Sequence, residues 1–342
     1  MSWATVRGHD AVVRQFDHTW KRGRLAHAYL FVGPKGIGKH TFARELAKAL
    51  LCEAERDSLE ACDACPACHQ ITAGAHPDLF FASRPEDSLD LPIEVVRELC
   101  GHLELKPARG FRKVAILDEA DDMNEASSNC FLKTLEEPPS GCVLILVGTS
   151  RERQLSTIVS RCQPVRFAPL APEVMREILH DQGVEDVSQM ERSIRLAGGS
   201  VGQALALGDA DLWTFRQTML DHLSDPKMEP QQLSSAWMRF VEDAGKESAA
   251  QRGRASVVLR MLVEMLESAL KLSVGAELPN LDANERAQLT EIAERLGPDR
   301  LLMWLDRAFE ADMHIDRRVQ LVLAIEAFVD ALARRPSVRK PA

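Results

Sequence analysis

The segment GPKGIGKHT, residues 33–41, constrains the fold more than any other part of the chain. It matches the pattern G-x-x-x-x-G-K, in which glycines let the backbone wrap around a phosphate group. The apolar run AYLFVG (28–33) precedes it, and the helical pattern TFARELAKALLCEA (41–54) follows it. A strand, a glycine-rich turn and a helix N-terminus form the context that phosphate binding requires. We therefore predict a P-loop or its direct descendant, the alternative being an ordinary glycine-rich turn before a helix.

The residue after the P-loop lysine breaks the pattern, because His40 stands where Ser or Thr normally holds Mg²⁺. A neutral imidazole is a poor Mg²⁺ ligand, since this ion prefers hard oxygen donors. Thr41 cannot replace the missing hydroxyl, because successive helix residues point about 100° apart. The remaining candidates for phosphate contact are Gly33, Gly36, Gly38 and Lys39. We expect ATP or ADP binding that is weak or absent.

Buried strands alternate with helical patterns up to about residue 165. Nearly continuous apolar runs, KVAILD (113–118) and CVLILVG (142–148), are typical of strands covered on both faces of a parallel sheet. The sequence therefore predicts an α/β P-loop core over residues 1–165. Beyond it the patterning is helical. We expect a small helical domain at 166–209, a larger all-α domain at 210–334 and a frayed tail at 335–342.

Two acids and a threonine at predicted strand ends support a nucleotide site. Asp118 and Glu119 follow the run at 113–117, and Thr149 follows the run at 142–148. In P-loop enzymes such an aspartate orients Mg²⁺, and a neighbouring glutamate can polarise the attacking water. Thr149 is a candidate for contact with a γ-phosphate. The alternative is a pair of solvated acids and a common strand-end threonine.

Four cysteines predict a structural metal site. Cys62, Cys65 and Cys68 form two overlapping C-x₂-C steps, and Cys52 lies upstream of them. Four thiolates complete a closed tetrahedral Zn²⁺ site, whereas a redox-active C-x-x-C pair accounts for only two of the four. We predict structural Zn²⁺ in a module at about 52–68, with His69 or His76 as substitutes for Cys52.

Composition limits the function classes. Hydrophobic residues make up 45% of the 342 residues, and the formal net charge is −9. An acidic chain is not expected to bind nucleic acid by itself, so any DNA contact would be local or shared with a partner. The sequence contains no signal-like stretch at its N-terminus and no run near the roughly 18 apolar residues of a membrane span. We expect a cytoplasmic protein with no membrane partner.

The ordered motifs resemble the clamp-loader subunits of bacterial DNA polymerase III. The resemblance covers residues 1 to about 210 and rests on AHAYLFVGPKGIGK, the cysteine module, LDEAD, FLKTLEEPP, GTS and STIVSRC. It implies an AAA+ core, a helical lid and a helical collar through which five subunits form a ring. Such a ring places the sliding clamp on primed DNA. The implied partners are the gamma or tau and delta subunits, with clamp and DNA reached through the complex.

In two positions the chain departs from the motor subunits of this family and resembles its delta prime class, which is not expected to act as a motor. Gamma and tau keep Lys-Thr or Lys-Ser in the loop and an arginine in the lid pattern Gly-Ser-x-Arg. This chain has His40 at the first position and Gly202 at the second. The resemblance identifies Arg161, in SRC, as an arginine finger for a neighbour's site, the alternative being an arginine paired with a nearby acid. Two rival functions stay open: an active ATPase subunit of the same loader, and a stand-alone zinc-containing P-loop NTPase.

Overall fold

In the computed structural model, five parallel strands form one sheet in the order β2-β3-β4-β1-β5. The structure describes residues 3–55, 57–85, 88, 90–245, 248–278, 281, 283–317 and 319–333, so the tail expected at 335–342 lies outside it. The chain forms two compact units, residues 1–204 and 205–342. The strands are β1 (Ala28–Val32), β2 (Leu79–Ala82), β3 (Lys113–Leu117), β4 (Cys142–Gly148) and β5 (Gln163–Arg166).

Helices cover both faces of this sheet, and further helices follow β5. Before β5 they are α1 (Asp10–Lys21), α2 (Lys39–Leu51), α3 (Pro66–Thr72), α4 (Ile93–Glu104), α5 (Glu125–Glu136) and α6 (Ser156–Val159). A short 3₁₀ turn spans Ala120–Asp122. After β5 come α7 (Pro172–Asp181), α8 (Val187–Leu196) and α9 (Val201–Ala206).

The strands β1, β3 and β4 are buried at every residue, because helices pack against both faces of the sheet. On β1, Tyr29 and Phe31 face a cluster with α1 and α2, while Leu30 and Val32 face a cluster with α4 and α5. This alternation arises because successive strand residues point to opposite faces. All five residues of β1 are buried. The predicted α/β class with a parallel sheet is confirmed.

One strand of the sheet was not predicted. The edge strand β2 has only four residues, and Phe81 in its middle is 44% exposed. A short run with an outward-facing aromatic residue lacks the length and continuity that identified β1, β3 and β4.

The second unit consists of helices. They are α10 (Ala210–Ser224), α11 (Pro230–Glu242), α12 (Ser248–Ser273), α13 (Ala283–Asp316) and α14 (Leu321–Ala333). Helix α13 is interrupted at Gly297, whose φ of 68° is not helical. Among the described residues, no helix is both long and apolar enough to cross a membrane.

The last two helices are separate, because α13 ends at Asp316 and α14 begins at Leu321. The guanidinium of Arg252, from α12, donates to the carbonyl oxygens of Ile315 (3.2 Å) and Val319 (3.0 Å). A side chain from another helix thus satisfies carbonyls that a continuous helix would have used internally.

Candidate functional site

The P-loop connects β1 to α2 and places a ring of backbone groups at the helix N-terminus. Gly38 is the N-cap of α2 and has a left-handed φ of 98°, which favours glycine. The first helical hydrogen bond runs from the Phe42 N–H to the Gly38 carbonyl (2.9 Å). Amides at a helix N-terminus can bind an anion, which is the role that the sequence predicts for this loop.

Lys39 folds back onto the loop instead of extending into solvent. Its Nζ donates to the carbonyl oxygens of Gly33 and Pro34, each at 2.6 Å. The residue is only 6% exposed, and burial lowers the pKa of the amine to about 8. A phosphate group would have to compete with these two carbonyls for the lysine.

His40 contacts the acid that was expected to orient Mg²⁺. Its Nδ1–H donates to Asp118 Oδ2 at 2.7 Å, and its ring stacks on Phe81 with centroids 5.7 Å apart. Burial acts to raise the Asp118 pKa, but hydrogen bonds from His40 and from the Glu119 N–H outweigh it, so the pKa lies below its usual value. The carboxylate is therefore held by an imidazole where a metal-orienting acid would need an open face.

Glu119 and Thr149 also have partners within the chain. Arg84 NH2 lies 3.3 Å from Glu119 Oε1. The N–H and hydroxyl of Thr149 donate to Asp121 Oδ2 at 2.7 and 2.6 Å. The groups expected to polarise water and to contact a γ-phosphate are thus already hydrogen-bonded.

A cavity of about 710 Å³ adjoins these groups. It is lined by the N-terminal segment, the loop, the ends of β3 and β4, and helix α7. Arg7 and Asp181 form an ion pair at its wall. The predicted nucleotide-site residues that line it are Gly36, Gly38, Lys39, His40, Thr41, Asp118, Glu119 and Thr149. Gly33 is not among the lining residues, and its N–H donates to the Thr149 carbonyl (3.0 Å).

The four predicted metal ligands converge on one point. The Sγ atoms of Cys52, Cys62, Cys65 and Cys68 all lie within 4.8 Å of one another. Two of the pairs, 52 with 65 and 62 with 68, are each 3.9 Å apart. A tetrahedron with Zn–S bonds of about 2.3 Å has edges of about 3.8 Å, so the cluster fits this ion. His69 and His76, the predicted substitutes, are not members of it.

Backbone donors favour the thiolate form of Cys62, whereas burial opposes it at Cys68. Cys62 Sγ accepts N–H groups from Ala64 (3.4 Å) and Cys65 (3.1 Å), and the Ala64 donor lowers the Cys62 pKa to about 6. Burial raises the pKa of Cys68 to about 12. A bound cation would overcome that penalty, because zinc ligands are thiolates.

Arg161 is tied to its own subunit in this structure. It follows α6 and precedes the edge strand β5. One guanidinium nitrogen donates to the Thr157 carbonyl (2.9 Å), and the other pairs with Glu136 on α5. The arginine is 33% exposed at its side chain, so it remains accessible from outside.

Several residues that build the site were not predicted. Asp121, Arg84 and His9 make their contacts across 28 to 35 positions in sequence. Asp121 carried a usable signal, because it follows Asp118 in the acidic run DEADD. Lone residues such as Arg84 and His9 carried none.

Comparison with known proteins identifies relatives of this chain. A family model described as DNA polymerase III, delta subunit, matches residues 8–171. The DNA polymerase III subunit delta' (delta prime) of Escherichia coli is 30% identical over 284 residues, which cover 83% of this chain and 81% of that protein. The subunit delta' of Pseudomonas aeruginosa is 38% identical over 183 residues, which cover 52% of this chain and 55% of that protein.

Subunit tau of Escherichia coli is similar over a shorter part of the chain. It is 35% identical over 216 residues, which cover 61% of this chain and 32% of tau. The similarity to the Escherichia coli delta' protein therefore spans more of the chain than the similarity to tau does.

Proposed function

Because the chain belongs to the DNA polymerase III subunit delta prime family, we propose that it keeps the shape of a nucleotide site without working as a motor. The chain is an AAA+ subunit of the DNA polymerase III clamp loader.

The hydrogen bond from His40 to Asp118 carries the non-motor proposal. Its 2.7 Å length leaves no room for a metal ion between the loop and the acid. Hydrolysis of a nucleotide requires Mg²⁺ to bridge the terminal phosphates and neutralise developing charge. In this chain the imidazole of His40 occupies the position beside Asp118 where Mg²⁺ would bind, and an imidazole cannot replace the charge of the metal ion. The chain should therefore not turn over ATP.

We propose that Arg161 acts in trans, at the nucleotide site of a neighbouring subunit. A guanidinium supplied by a neighbour stabilises the charge that develops on a transferred phosphoryl group. Arg161 lies beside an edge strand, and its planar fork of donors suits phosphate oxygens. A phosphate would have to replace Glu136 as its partner, which is an exchange of one anion for another.

The proposed partners follow from the family. They are the gamma or tau subunits and the delta subunit, and the chain reaches the sliding clamp and primed DNA through the assembled complex. The net charge of −9 agrees with DNA contact that is shared with other subunits. A bacterial replication complex works in the cytoplasm, where we expect this chain.

We propose structural Zn²⁺ at the four cysteines. The ion would fix the excursion between α2 and α3 and take no part in chemistry. This excursion is also attached to α1, because Asp17 Oδ1 accepts the Leu59 N–H at 3.0 Å.

Steady-state ATPase measurement on the purified chain, with Mg²⁺ present, tests the non-motor proposal. We expect no turnover above background, and Mg²⁺-nucleotide titration should give weak binding or none. The rival function, an active ATPase subunit, is favoured by the retained Lys39 and by the size of the cavity. Robust turnover by the chain alone would establish that rival.

A further inference from the structure

Each carbonyl oxygen of residues 33–38 in the P-loop accepts a hydrogen bond from the chain itself. Lys39 donates to the first two of these carbonyls, and the Phe42 N–H donates to the last. Three donors from elements distant in sequence bind the other three carbonyls. The acceptors and their donors are Gly33 and Pro34 with Lys39 Nζ, Lys35 with Ser200 Oγ, Gly36 with the Gly202 N–H, Ile37 with His9 Nε2, and Gly38 with the Phe42 N–H.

Two of these donors lie at the start of α9, in the stretch that the sequence assigned to the lid. Ser200 Oγ donates to the Lys35 carbonyl at 2.7 Å and accepts the Gln203 N–H at 3.1 Å. The Gly202 N–H donates to the Gly36 carbonyl at 3.0 Å. Ser200 is fully buried, so water cannot substitute for its contact with the loop. The same serine thus caps α9 and attaches it to the loop.

The approach of the two backbones depends on glycine on both sides. A Cβ atom on Gly202 would lie 3.0 Å from Gly36 Cα, and a Cβ on Gly36 would lie 2.6 Å from Ser200 Oγ. Gly36 also has a φ of +75°, which side chains rarely adopt. Even alanine at 202 would press on the backbone of the loop, and an arginine there would need far more space. Glycine at position 202 therefore removes the arginine and also favours this close contact with the loop.

We propose that residues 200–202 clamp the lid onto the P-loop, through a backbone contact that a side chain at position 202 would strain. We expect such a lid not to report whether nucleotide is bound, because its contacts are made to the carbonyl oxygens of the loop and not to a nucleotide. An arginine introduced at 202 would displace the lid instead of restoring a sensor. The inference goes beyond the proposed function, since it concerns the isolated chain and holds whether or not the chain joins a loader.

Hydrogen–deuterium exchange on the full-length, nucleotide-free protein tests the clamp. In the wild type we expect slow exchange at residues 199–204 and at 35–38. Gly202→Ala should increase the exchange rate of both segments on the order of tenfold, because opening frees lid and loop together. Gly101→Ala is the matched control: this helical glycine has nothing within 4 Å of an added Cβ, and it should change neither segment.

Ser200→Ala provides a second variant that adds no volume. It removes the donor to Lys35 and the cap of α9, so it should also accelerate both segments. Zinc content and circular dichroism report whether each variant is folded, and Ser200→Ala decides the matter if Gly202→Ala does not fold. Fast exchange of 199–204 in the wild type, or wild-type exchange in both variants, would overturn the clamp. Because no partner or ATP is involved, such a failure leaves the proposed function untouched.

Discussion

Replacing Cys62 with serine should release the proposed zinc and unfold the segment from the end of α2 through α3. Two apolar side chains of this part of the chain, Leu59 and Ile71, are each 2% exposed. Burial of such a side chain contributes roughly 1.5–3 kcal/mol, so exposing both costs about 3–6 kcal/mol. This is a large share of the typical stability of a domain, about 5–15 kcal/mol.

The assay combines metal analysis with thermal unfolding. Wild-type protein purified without chelators should contain one zinc per chain, and the Cys62→Ser variant should contain much less. For a unit of about 200 residues, a loss of 3–6 kcal/mol lowers the melting temperature on the order of 10 °C. Chelation of the wild type should produce the same shift, because zinc binding and local folding are coupled.

Cys130→Ser is the matched control, because Cys130 lies on α5 and is not one of the four clustered cysteines. It should retain zinc and melt close to the wild type. The zinc proposal is refuted if wild-type protein contains no zinc, or if Cys62→Ser keeps both its zinc and its melting temperature.

Three further predictions follow from the nucleotide cavity and from Arg161. His40→Thr should free Asp118 and improve Mg²⁺-nucleotide binding more than turnover, because Gly202 remains; equal gains in titration and ATPase assays would contradict this. The Lys39 pKa of about 8 lies below the ordinary 10.5, so the unfolded chain binds more protons between these values and stability rises with pH there. Lys39 should therefore add about 2 kcal/mol between pH 7.5 and 9.5; urea unfolding should show this rise in the wild type and not in Lys39→Met, and identical pH dependence would refute it. In the assembled loader, Arg161→Lys should have an ATPase rate close to that of Arg161→Ala, because lysine lacks the planar set of donors of a guanidinium. A wild-type rate for Arg161→Lys would show that positive charge alone is sufficient at this position.

Continuous burial made most of the sheet predictable from the sequence. The strands β1, β3 and β4 are buried at every position and almost wholly apolar, because helices cover both faces of the sheet, and that pattern is local. The P-loop was equally local, since its glycines and lysine are adjacent in the chain. Strand β2 was not predicted because it is short and partly exposed. The end of α13 has no local signal, since Arg252, which donates to the Ile315 carbonyl there, lies 63 positions away in the sequence.

Partners of the site residues could not be predicted, because they depend on side chains brought together by the fold. Sequence reasoning placed Thr149 near a γ-phosphate, but its hydroxyl donates to Asp121, 28 positions upstream. It foresaw that the lid lacks an arginine at Gly202, but not that a glycine there allows contact with Gly36. Residue types and spacing indicate which chemistry is available, and only the packed structure shows which groups are already engaged.

The ATPase rate of the reconstituted loader, with Arg161 changed to alanine in this chain alone, shows whether this arginine acts at the nucleotide site of a neighbouring subunit. An arginine finger is worth on the order of 10³–10⁵ in rate at the site it serves. We predict that the complex assembles, that hydrolysis at one neighbouring gamma or tau site is lost, and that clamp loading on primed DNA is impaired. Arg166→Ala, at an exposed arginine on β5, should behave as the wild type. Equal ATPase rates and equal clamp loading for Arg161→Ala and wild type would contradict the account and leave Arg161 as a surface arginine paired with Glu136.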